Sequence, residues 1–267
     1  MVMRRAFADC SQGQVHYRSM HTDAIKTPLV MLHQTASSSL MWEKVMERLG
    51  SERPLYALDT PGFGDSFDPD GYVPLDQISN WLVEALDDIG VSNFNIVGHH
   101  TGVCLGAEIA VSHASRTNSI MMIGPVPLTQ QEREEFREHF STPFSPDTDG
   151  NYLTVTWEYL KGLAGEEAIS LELHHRELLD TVRAYNGRYL TYSAVWDQDF
   201  TELYQCIKAP ILLMCARKDV LWPFFDRAVE MRPDARTAEI LGSNFEPDQD
   251  PDGVTFAIKS FLDEIES

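Results

Sequence analysis

The chain is poor in basic residues. Its 267 residues include 21 lysines and arginines against 41 aspartates and glutamates, a formal net charge of −20 at pH 7. Such an acidic surface repels the phosphates of nucleic acids and the anionic headgroups of membranes, so we expect neither as a partner. The simplest role of this charge is solubility.

Long apolar runs and paired cysteines are missing as well. No segment approaches the roughly 18 apolar residues of a membrane span, and the N-terminal segment lacks the apolar stretch of a signal peptide. The four cysteines form no C-x-x-C pair, and two of them, Cys104 and Cys215, lie in apolar runs typical of a core. We therefore expect a cytoplasmic protein.

Cofactor motifs are absent from the chain. There is no G-x-G-x-x-G after a strand pattern and no P-loop, so we expect no cofactor. The sequence has three histidines at predicted strand ends, His33, His99 and His100. They could form a metal site only if their side chains converged on one point. We expect no metal and a small-molecule substrate as the partner. Nothing in the sequence indicates the oligomeric state.

Buried-strand patterns alternate with helical ones along most of the chain. This alternation predicts one largely parallel sheet covered by helices on both faces. The continuous apolar runs that we assign to parallel strands lie at 28–33, 54–59, 94–98, 119–124 and 210–215.

The alternation stops between residues 128 and 200. This stretch is charged, aromatic and helical in its spacing, with a break rich in proline, serine, aspartate and glycine at 141–150. We interpret residues 128–200 as an inserted helical cap, with residues 1–127 and 201–267 forming the core.

The most informative motif is Gly98-His-His-Thr-Gly102. Its glycine spacing is that of a nucleophile elbow, G-x-S-x-G, a sharp strand-to-helix turn that exposes one side chain above a sheet. In this chain His100 stands at the position of the serine.

Together with four further motifs, this turn resembles the α/β-hydrolase fold family over essentially the whole chain. Leu32-His-Gln-Thr35 is similar to the oxyanion loop and Asp59–Ser66 to the D-x-P-G-x-G-x-S turn. Leu212–Asp219 resembles the strand end that carries the catalytic acid, and Leu241–Pro247 the loop that carries the catalytic histidine. The resemblance implies an α/β-hydrolase fold, a mostly parallel sheet flanked by helices with an inserted helical cap.

Two positions of the implied triad depart from the family pattern. His100 replaces the nucleophile, Asn244 replaces the general base, and no histidine follows His175. Only the acid, Asp219, remains. A Ser–His–Asp mechanism is therefore excluded at this elbow. The aspartate nucleophile of dehalogenases and epoxide hydrolases and the cysteine of some lactone hydrolases are excluded too.

Histidine at the elbow is still a capable group. Its unperturbed pKa near 6.5 lets it accept a proton at neutral pH, and a general base contributes on the order of 10²- to 10⁴-fold to a rate. The candidate catalytic residues are His100 as base or nucleophile, with Asp219 or Asn244 to orient its ring. The amides of Thr101 and of Gln34 or Thr35 are expected to form an oxyanion hole.

The substrate-binding candidates either lie near the elbow motifs or are aromatic residues of the predicted cap. Each also has a plainer interpretation as a packed or loop-ordering side chain. The candidates are His33, Trp42, His99, Trp157, Tyr192 and Trp196.

Two functions stay open at this point. One is a hydrolase or C–C lyase that acts on a small carbonyl or ester-like compound. The other is a ligand-binding protein without turnover. Retention of both elbow glycines favours the enzyme, because release from catalysis would let the strained turn relax.

Overall fold

The computed structural model describes residues 2–165 and 169–267. Eight strands form one sheet in the order β1-β2-β4-β3-β5-β6-β7-β8. The pairs β1–β2 and β2–β4 are antiparallel, and the other neighbours are parallel. The predicted fold class, a mostly parallel sheet flanked by helices, is confirmed.

The five predicted parallel strands are present, with small differences at their ends. The strands are β1 Arg4–Cys10, β2 Gly13–Met20, β3 Leu29–Leu32, β4 Leu55–Leu58, β5 Phe94–His99, β6 Thr117–Ile123, β7 Ile211–Ala216 and β8 Arg236–Ile240. The helices are α1 Glu43–Leu49, α2 Leu75–Asp88, α3 Thr101–Ser112, α4 Gln130–Phe140, α5 Asn151–Leu163, α6 Leu171–Arg183, α7 Tyr185–Asp197, α8 Phe200–Cys206, α9 Phe225–Met231, α10 Glu246–Gln249 and α11 Pro251–Ile265. Short 3-10 helices precede α1 and α9.

The sheet separates two hydrophobic cores. Successive side chains of a strand point to opposite faces, and β3 shows this directly. Val30 and Leu32 enter the core with α2 and α3, whereas Leu29 and Met31 enter the core with α1 and α11. Burial on both faces explains why the parallel strands read as continuous apolar runs.

Helices α4 to α8 lie between β6 and β7. Within the described residues this insert contains no strand, in line with its helical spacing. α4 begins with a capping box, in which the Thr129 hydroxyl accepts from the Glu132 N–H while the Glu132 carboxylate accepts from the Thr129 N–H. The division into a core and a cap with bounds 128 and 200 stays a prediction. No helix in the described part of the chain is long and apolar enough to cross a bilayer.

Asp59 directly follows β4 and hydrogen-bonds to three segments of the chain. Its carboxylate accepts hydrogen bonds from the Ser39 N–H at 2.6 Å, His16 Nδ1 at 2.8 Å and the Asp65 N–H at 2.9 Å. Burial alone would raise the pKa of Asp59, but these hydrogen bonds lower it to about 2. The loop after β3 and the turn after β4 are thereby held by one buried charge.

We expect Asp59→Asn to lower the free energy of unfolding at pH 7 by about 2–3 kcal/mol, because charge-assisted hydrogen bonds are lost. A depressed pKa stabilises the fold above the unfolded value near 3.8, and this contribution is lost as the pH falls through about 2. Urea unfolding between pH 2 and pH 7 should therefore show a flatter profile for the variant. Asp65→Asn, which changes an exposed carboxylate of the turn after β4, is the matched control; equal slopes for wild type and Asp59→Asn would contradict this role.

Candidate active site

The nucleophile elbow is present between β5 and α3. His100 has φ 47° and ψ −106°, a positive-φ conformation that costs a residue with a side chain about 1–3 kcal/mol. The two glycines of the turn are required because neighbouring backbone lies too close to leave room for a side chain. A Cβ on Gly98 would overlap the carbonyl of Gly102, and a Cβ on Gly102 would overlap the carbonyl of Leu32. The turn thus holds the imidazole above the sheet, as the motif predicts.

His100 is hydrogen-bonded to the acid of the implied triad. Its Nε2 lies 2.7 Å from Oδ2 of Asp219, which stands in the turn after β7. The other Asp219 oxygen accepts from the Leu221 N–H at 2.6 Å. Burial by itself would raise the pKa of Asp219, but His100 and the hydrogen bonds hold it below its ordinary value. Asp219 is therefore a carboxylate, and it is the partner that orients His100.

The other ring nitrogen of His100 is available for chemistry. A carboxylate only accepts hydrogen bonds, so Nε2 carries the proton in the neutral ring and Nδ1 keeps a lone pair. Among the described residues Nδ1 has no hydrogen-bond partner, and the atom is not fully buried. The side chain is 14% exposed and lines a cavity. Nδ1 is therefore the nitrogen of this cavity-lining ring that is left to accept a proton.

The cavity has a volume of about 40 Å³ and lies between the elbow and the insert. Its polar lining consists of Gln34, Thr35, His100, Thr101 and Asn244. The rest of the wall is apolar or aromatic, and no lysine, arginine, aspartate or glutamate of the described residues lines it. An uncharged ligand fits this lining, because an ionic group would lose its hydration without a partner.

The three predicted oxyanion-hole residues meet at the cavity. Gln34 and Thr35 follow β3, and Thr101 is the first residue of α3, whose N–H has no acceptor within the helix. The Thr35 N–H makes only a long bond, 3.4 Å, to the Thr101 hydroxyl. Tyr192 donates its hydroxyl to the Thr35 carbonyl at 3.1 Å and so holds this loop. Their use as an oxyanion hole stays a prediction.

His33 lies behind the oxyanion loop. Its Nδ1 is 2.7 Å from the Gln34 carbonyl, and its Nε2 accepts from the Thr60 N–H at 2.9 Å. Burial lowers its pKa, so the ring is neutral. It orders the loop but does not line the cavity, which corrects its place among the substrate-binding candidates.

Asn244 lines the cavity without a hydrogen bond to His100. Its carbonyl oxygen accepts from the Val220 N–H at 3.2 Å, and its Nδ2 donates to the Leu163 carbonyl at 2.6 Å. The residue therefore connects the loop after β8 to the turn after β7 and to α5. Of the two candidates for orienting His100, Asp219 is the one that makes the bond among the described residues.

The aromatic candidates divide into two groups. Tyr192 and Trp196 line the cavity with stacked rings, 5.8 Å between centroids. Trp42 and Trp157 do not. Trp42 is fully buried in the core with α1 and α11, and Trp157 stacks on His174 at 3.7 Å. Both are corrected as substrate-binding residues.

The sequence model of the alpha/beta hydrolase fold family matches residues 27–223. The chain belongs to this family.

Family members differ widely in their similarity to this chain. Fluoroacetate dehalogenase of a Burkholderia species is 23% identical over 269 residues, which cover 90% of this chain and 88% of that protein. The 1-acylglycerol-3-phosphate O-acyltransferase ABHD5 of Homo sapiens is 30% identical over 109 residues, only 39% of this chain and 31% of that relative. The crystal structure of the enol-lactonase of Burkholderia xenovorans LB400 superposes with a TM-score of 0.80 over 97% of this chain and 100% of that one, at 18% identity. This likeness shows the fold alone.

Within this α/β-hydrolase fold, His99 and Glu246 extend the elbow pair into a buried cluster. His99 Nε2 lies 2.9 Å from Glu246 Oε2, and one donor atom each of His99, His100, Asp219 and Glu246 lies within 4.8 Å of the others. Imidazoles and carboxylates are ligand types for transition metals. Here the groups are hydrogen-bonded in two pairs, His99 with Glu246 and His100 with Asp219. His99 does not line the cavity, which corrects its place among the substrate-binding candidates.

Two carboxyl groups of α6, one buried and one half-buried, join the insert to the loop after β3. Ser37 donates its hydroxyl to Glu177 at 3.0 Å, and Ser38 donates to Asp180 at 2.8 Å. Burial, and then the charge of Glu177, raise the pKa of Asp180 to about 7. These two residues are not among the site residues predicted from the sequence. The available signal was two acidic residues three apart, which share one face of an amphipathic helix.

Phe136 and Phe140 form part of the cavity wall and are also absent from the predicted site residues. They are four residues apart on α4, a spacing that places both on one helix face. Phe136 lies edge-to-face against Trp196, and Phe140 lies 5.8 Å from Tyr192. The i, i+4 pattern was visible in the sequence, but not the face of the insert that meets the elbow.

Asp180 should make the protein less stable as the pH rises from about 4 to about 7. A carboxyl whose folded pKa is raised binds more protons when folded, so its burial costs more as it ionises. We expect Asp180→Asn, which keeps a partner for Ser38, to be more stable than wild type by about 1–2 kcal/mol at pH 8.

At pH 4 the two proteins should unfold at similar temperatures, and exposed Asp70→Asn serves as the control for the loss of one negative charge. Thermal unfolding across this pH range measures the difference. A variant that is less stable than wild type at pH 8 would contradict the assignment.

Proposed function

We propose that this α/β-hydrolase-family protein is an enzyme that uses His100 as a general base, without a Ser–His–Asp triad, on a small carbonyl or ester-like compound. One observation carries the proposal. His100 bonds to the Asp219 carboxylate through Nε2 at 2.7 Å and leaves Nδ1 unpaired at the cavity. This is the histidine–aspartate pair of a catalytic triad, with the histidine located at the elbow.

In this mechanism Nδ1 removes a proton from water or from a substrate hydroxyl or C–H group. Asp219 stabilises the imidazolium that forms, and the amides of Thr35 and Thr101 stabilise the oxyanion. In hydrolysis the resulting hydroxide attacks the carbonyl carbon, and the imidazolium returns its proton to the leaving group. In C–C cleavage the same proton goes to the carbanion or enolate that is released.

The cavity supports an uncharged, largely apolar substrate. Its aromatic wall and its lack of charged lining residues disfavour carboxylate substrates. The Burkholderia relative is named for its action on fluoroacetate, which is a carboxylate. We therefore do not propose fluoroacetate as a substrate of this chain. A volume near 40 Å³ holds only a few water molecules, so a larger substrate requires the aromatic side chains of the insert to move.

His100→Gln tests the base directly. Glutamine can keep a donor toward Asp219 and similar bulk, but it cannot accept a proton at neutral pH. We expect kcat to fall by about 10²- to 10⁴-fold, with thermal stability close to that of wild type. The assay is initial rates on ester, lactone and β-diketone substrates that the wild type turns over.

His100→Ala should lose at least as much activity, and added imidazole should restore part of it. Full activity in both variants would exclude His100 as the base. Mass spectrometry of the quenched reaction checks the alternative in which His100 is the nucleophile, since a covalent adduct on this residue would show it. Ligand-induced thermal shifts without turnover of any compound would instead support a binding protein.

The charge preference is measured with paired substrates that differ by one carboxylate distant from the reacting carbonyl. We expect kcat/KM to be at least about tenfold higher for the uncharged member, because the cavity offers the carboxylate no cation. A preference for the anionic member would contradict the substrate class but not the role of His100.

A further inference from the structure

Gln34 is a nearly buried residue whose side-chain amide has no partner among the described residues. Only 6% of its surface is exposed, and it lines the cavity together with Thr35 and His100. Its amide oxygen and nitrogen make no hydrogen bond within the part of the chain that the structure describes, and neither atom is fully enclosed. A carboxamide offers two donor hydrogens and an acceptor oxygen. This amide is therefore available to a ligand in the cavity.

The backbone of Gln34 is held in place by two hydrogen bonds. His33 accepts from the Thr60 N–H through Nε2, so its neutral ring donates from Nδ1 to the Gln34 carbonyl at 2.7 Å. The same carbonyl accepts from the Ser37 N–H at 3.0 Å. A fixed backbone limits the rotamers that a side chain can adopt. The unpaired amide is thus carried by an ordered part of the loop.

Asn244 also lines the cavity with a side-chain amide, but its amide is already paired. The oxygen accepts from the Val220 N–H at 3.2 Å, and the nitrogen donates to the Leu163 carbonyl at 2.6 Å. Both atoms therefore connect the loop after β8 to its neighbours. The amide of Gln34 makes no such connection among the described residues, and a nearly buried polar group that stays unpaired costs free energy. Recognition of a ligand accounts for an amide at this position.

The polar groups of Thr35 and Thr101 lie at the same end of the cavity as Gln34. The Thr35 N–H reaches the Thr101 hydroxyl at 3.4 Å, and the enclosed Thr35 hydroxyl has no partner among the described residues. Gln34 directly precedes Thr35, and consecutive Cα atoms are about 3.8 Å apart. A carbonyl bound by the amides of Thr35 and Thr101 would therefore lie close to the Gln34 side chain.

We propose that Gln34 is a specificity-determining residue whose side-chain amide hydrogen-bonds a second uncharged polar group of the substrate, next to the carbonyl that reacts. The substrate class is then a small β-dicarbonyl or β-hydroxycarbonyl compound rather than a simple ketone or ester. Either second group suits a carboxamide, which donates to a carbonyl and exchanges hydrogen bonds with a hydroxyl. This inference rests on the proposed function, which places the reacting carbonyl at Thr35 and Thr101.

Two probes of nearly equal size test the amide without requiring turnover. Pentane-2,4-dione carries a second carbonyl group that pentan-2-one lacks. We expect wild type to bind the dione about tenfold more tightly, because the additional hydrogen bond pairs a nearly buried donor. In Gln34→Leu, which keeps a side chain of similar bulk without the amide, the two affinities should become nearly equal. NMR chemical-shift titration measures both dissociation constants.

Gln131→Leu makes the same chemical change at an exposed position of α4 and should keep the wild-type affinity ratio. A ratio near one in wild type, or the wild-type ratio retained in Gln34→Leu, would overturn the proposal. If Gln34→Leu does not fold, Gln34→Met removes the same amide from an unbranched side chain and takes its place.

The side-chain NH₂ signals of Gln34 give a second readout, which a purely structural role of the residue would not move. These signals are identified by their absence from the Gln34 variant. They should shift strongly when pentane-2,4-dione binds to wild type and much less when pentan-2-one binds. Equal shifts with the two probes would overturn the proposal.

The proton signals of the probes show whether either compound is consumed, and this separates the inference from the proposed function. Stable probes whose affinity ratio collapses in Gln34→Leu would support the role of Gln34 and count against the proposed catalysis on this class of compound. Consumption of the dione with an affinity ratio that Gln34→Leu leaves unchanged would support the catalysis and overturn the role of Gln34.

Discussion

The hydrogen bond between His100 Nε2 and Asp219 is the interaction on which the rest of the site depends. It joins the elbow after β5 to the turn after β7 and leaves Nδ1 as the only ring nitrogen free to act. In a serine hydrolase of this fold three residues share the work of hydroxyl, base and acid. Here an imidazole stands at the position of the hydroxyl and, in the function that we propose, also serves as the base, while the acid is retained.

The acidic residues near the site differ in whether their surroundings favour or oppose ionisation. Asp59 and Asp219 are buried carboxylates with several donors each, whereas Glu246 and Asp180 have raised pKa values because burial and a nearby carboxyl group oppose their ionisation. Negative charge therefore lies on the two carboxylates that accept several hydrogen bonds. The cavity itself contains no charged lining residue among those described, so the developing oxyanion and imidazolium would be the main charges there.

Much of the fold was predictable because it depends on local patterns. The parallel strands are buried on both faces and read as apolar runs, and Gly98 and Gly102 mark a turn that only glycine permits. The site was predictable only where a motif fixes a backbone position, as for His100 and Asp219. The contacts of Glu246, Phe140 and Asp180 depend on how α10 and the insert pack against the elbow, which no local spacing encodes. Trp42 was misplaced for the same reason: its motif position did not reveal which face of the sheet it occupies.

The tautomer of His100 tests this account most directly. Nitrogen-15 NMR of the imidazole in wild-type protein at neutral pH distinguishes a protonated nitrogen from one with a lone pair. We expect a neutral ring with its proton on Nε2, donated to Asp219, and a free Nδ1 whose signal changes when a cavity ligand binds. A ring protonated on both nitrogens, or with its proton on Nδ1, would contradict the assignment of His100 as the base.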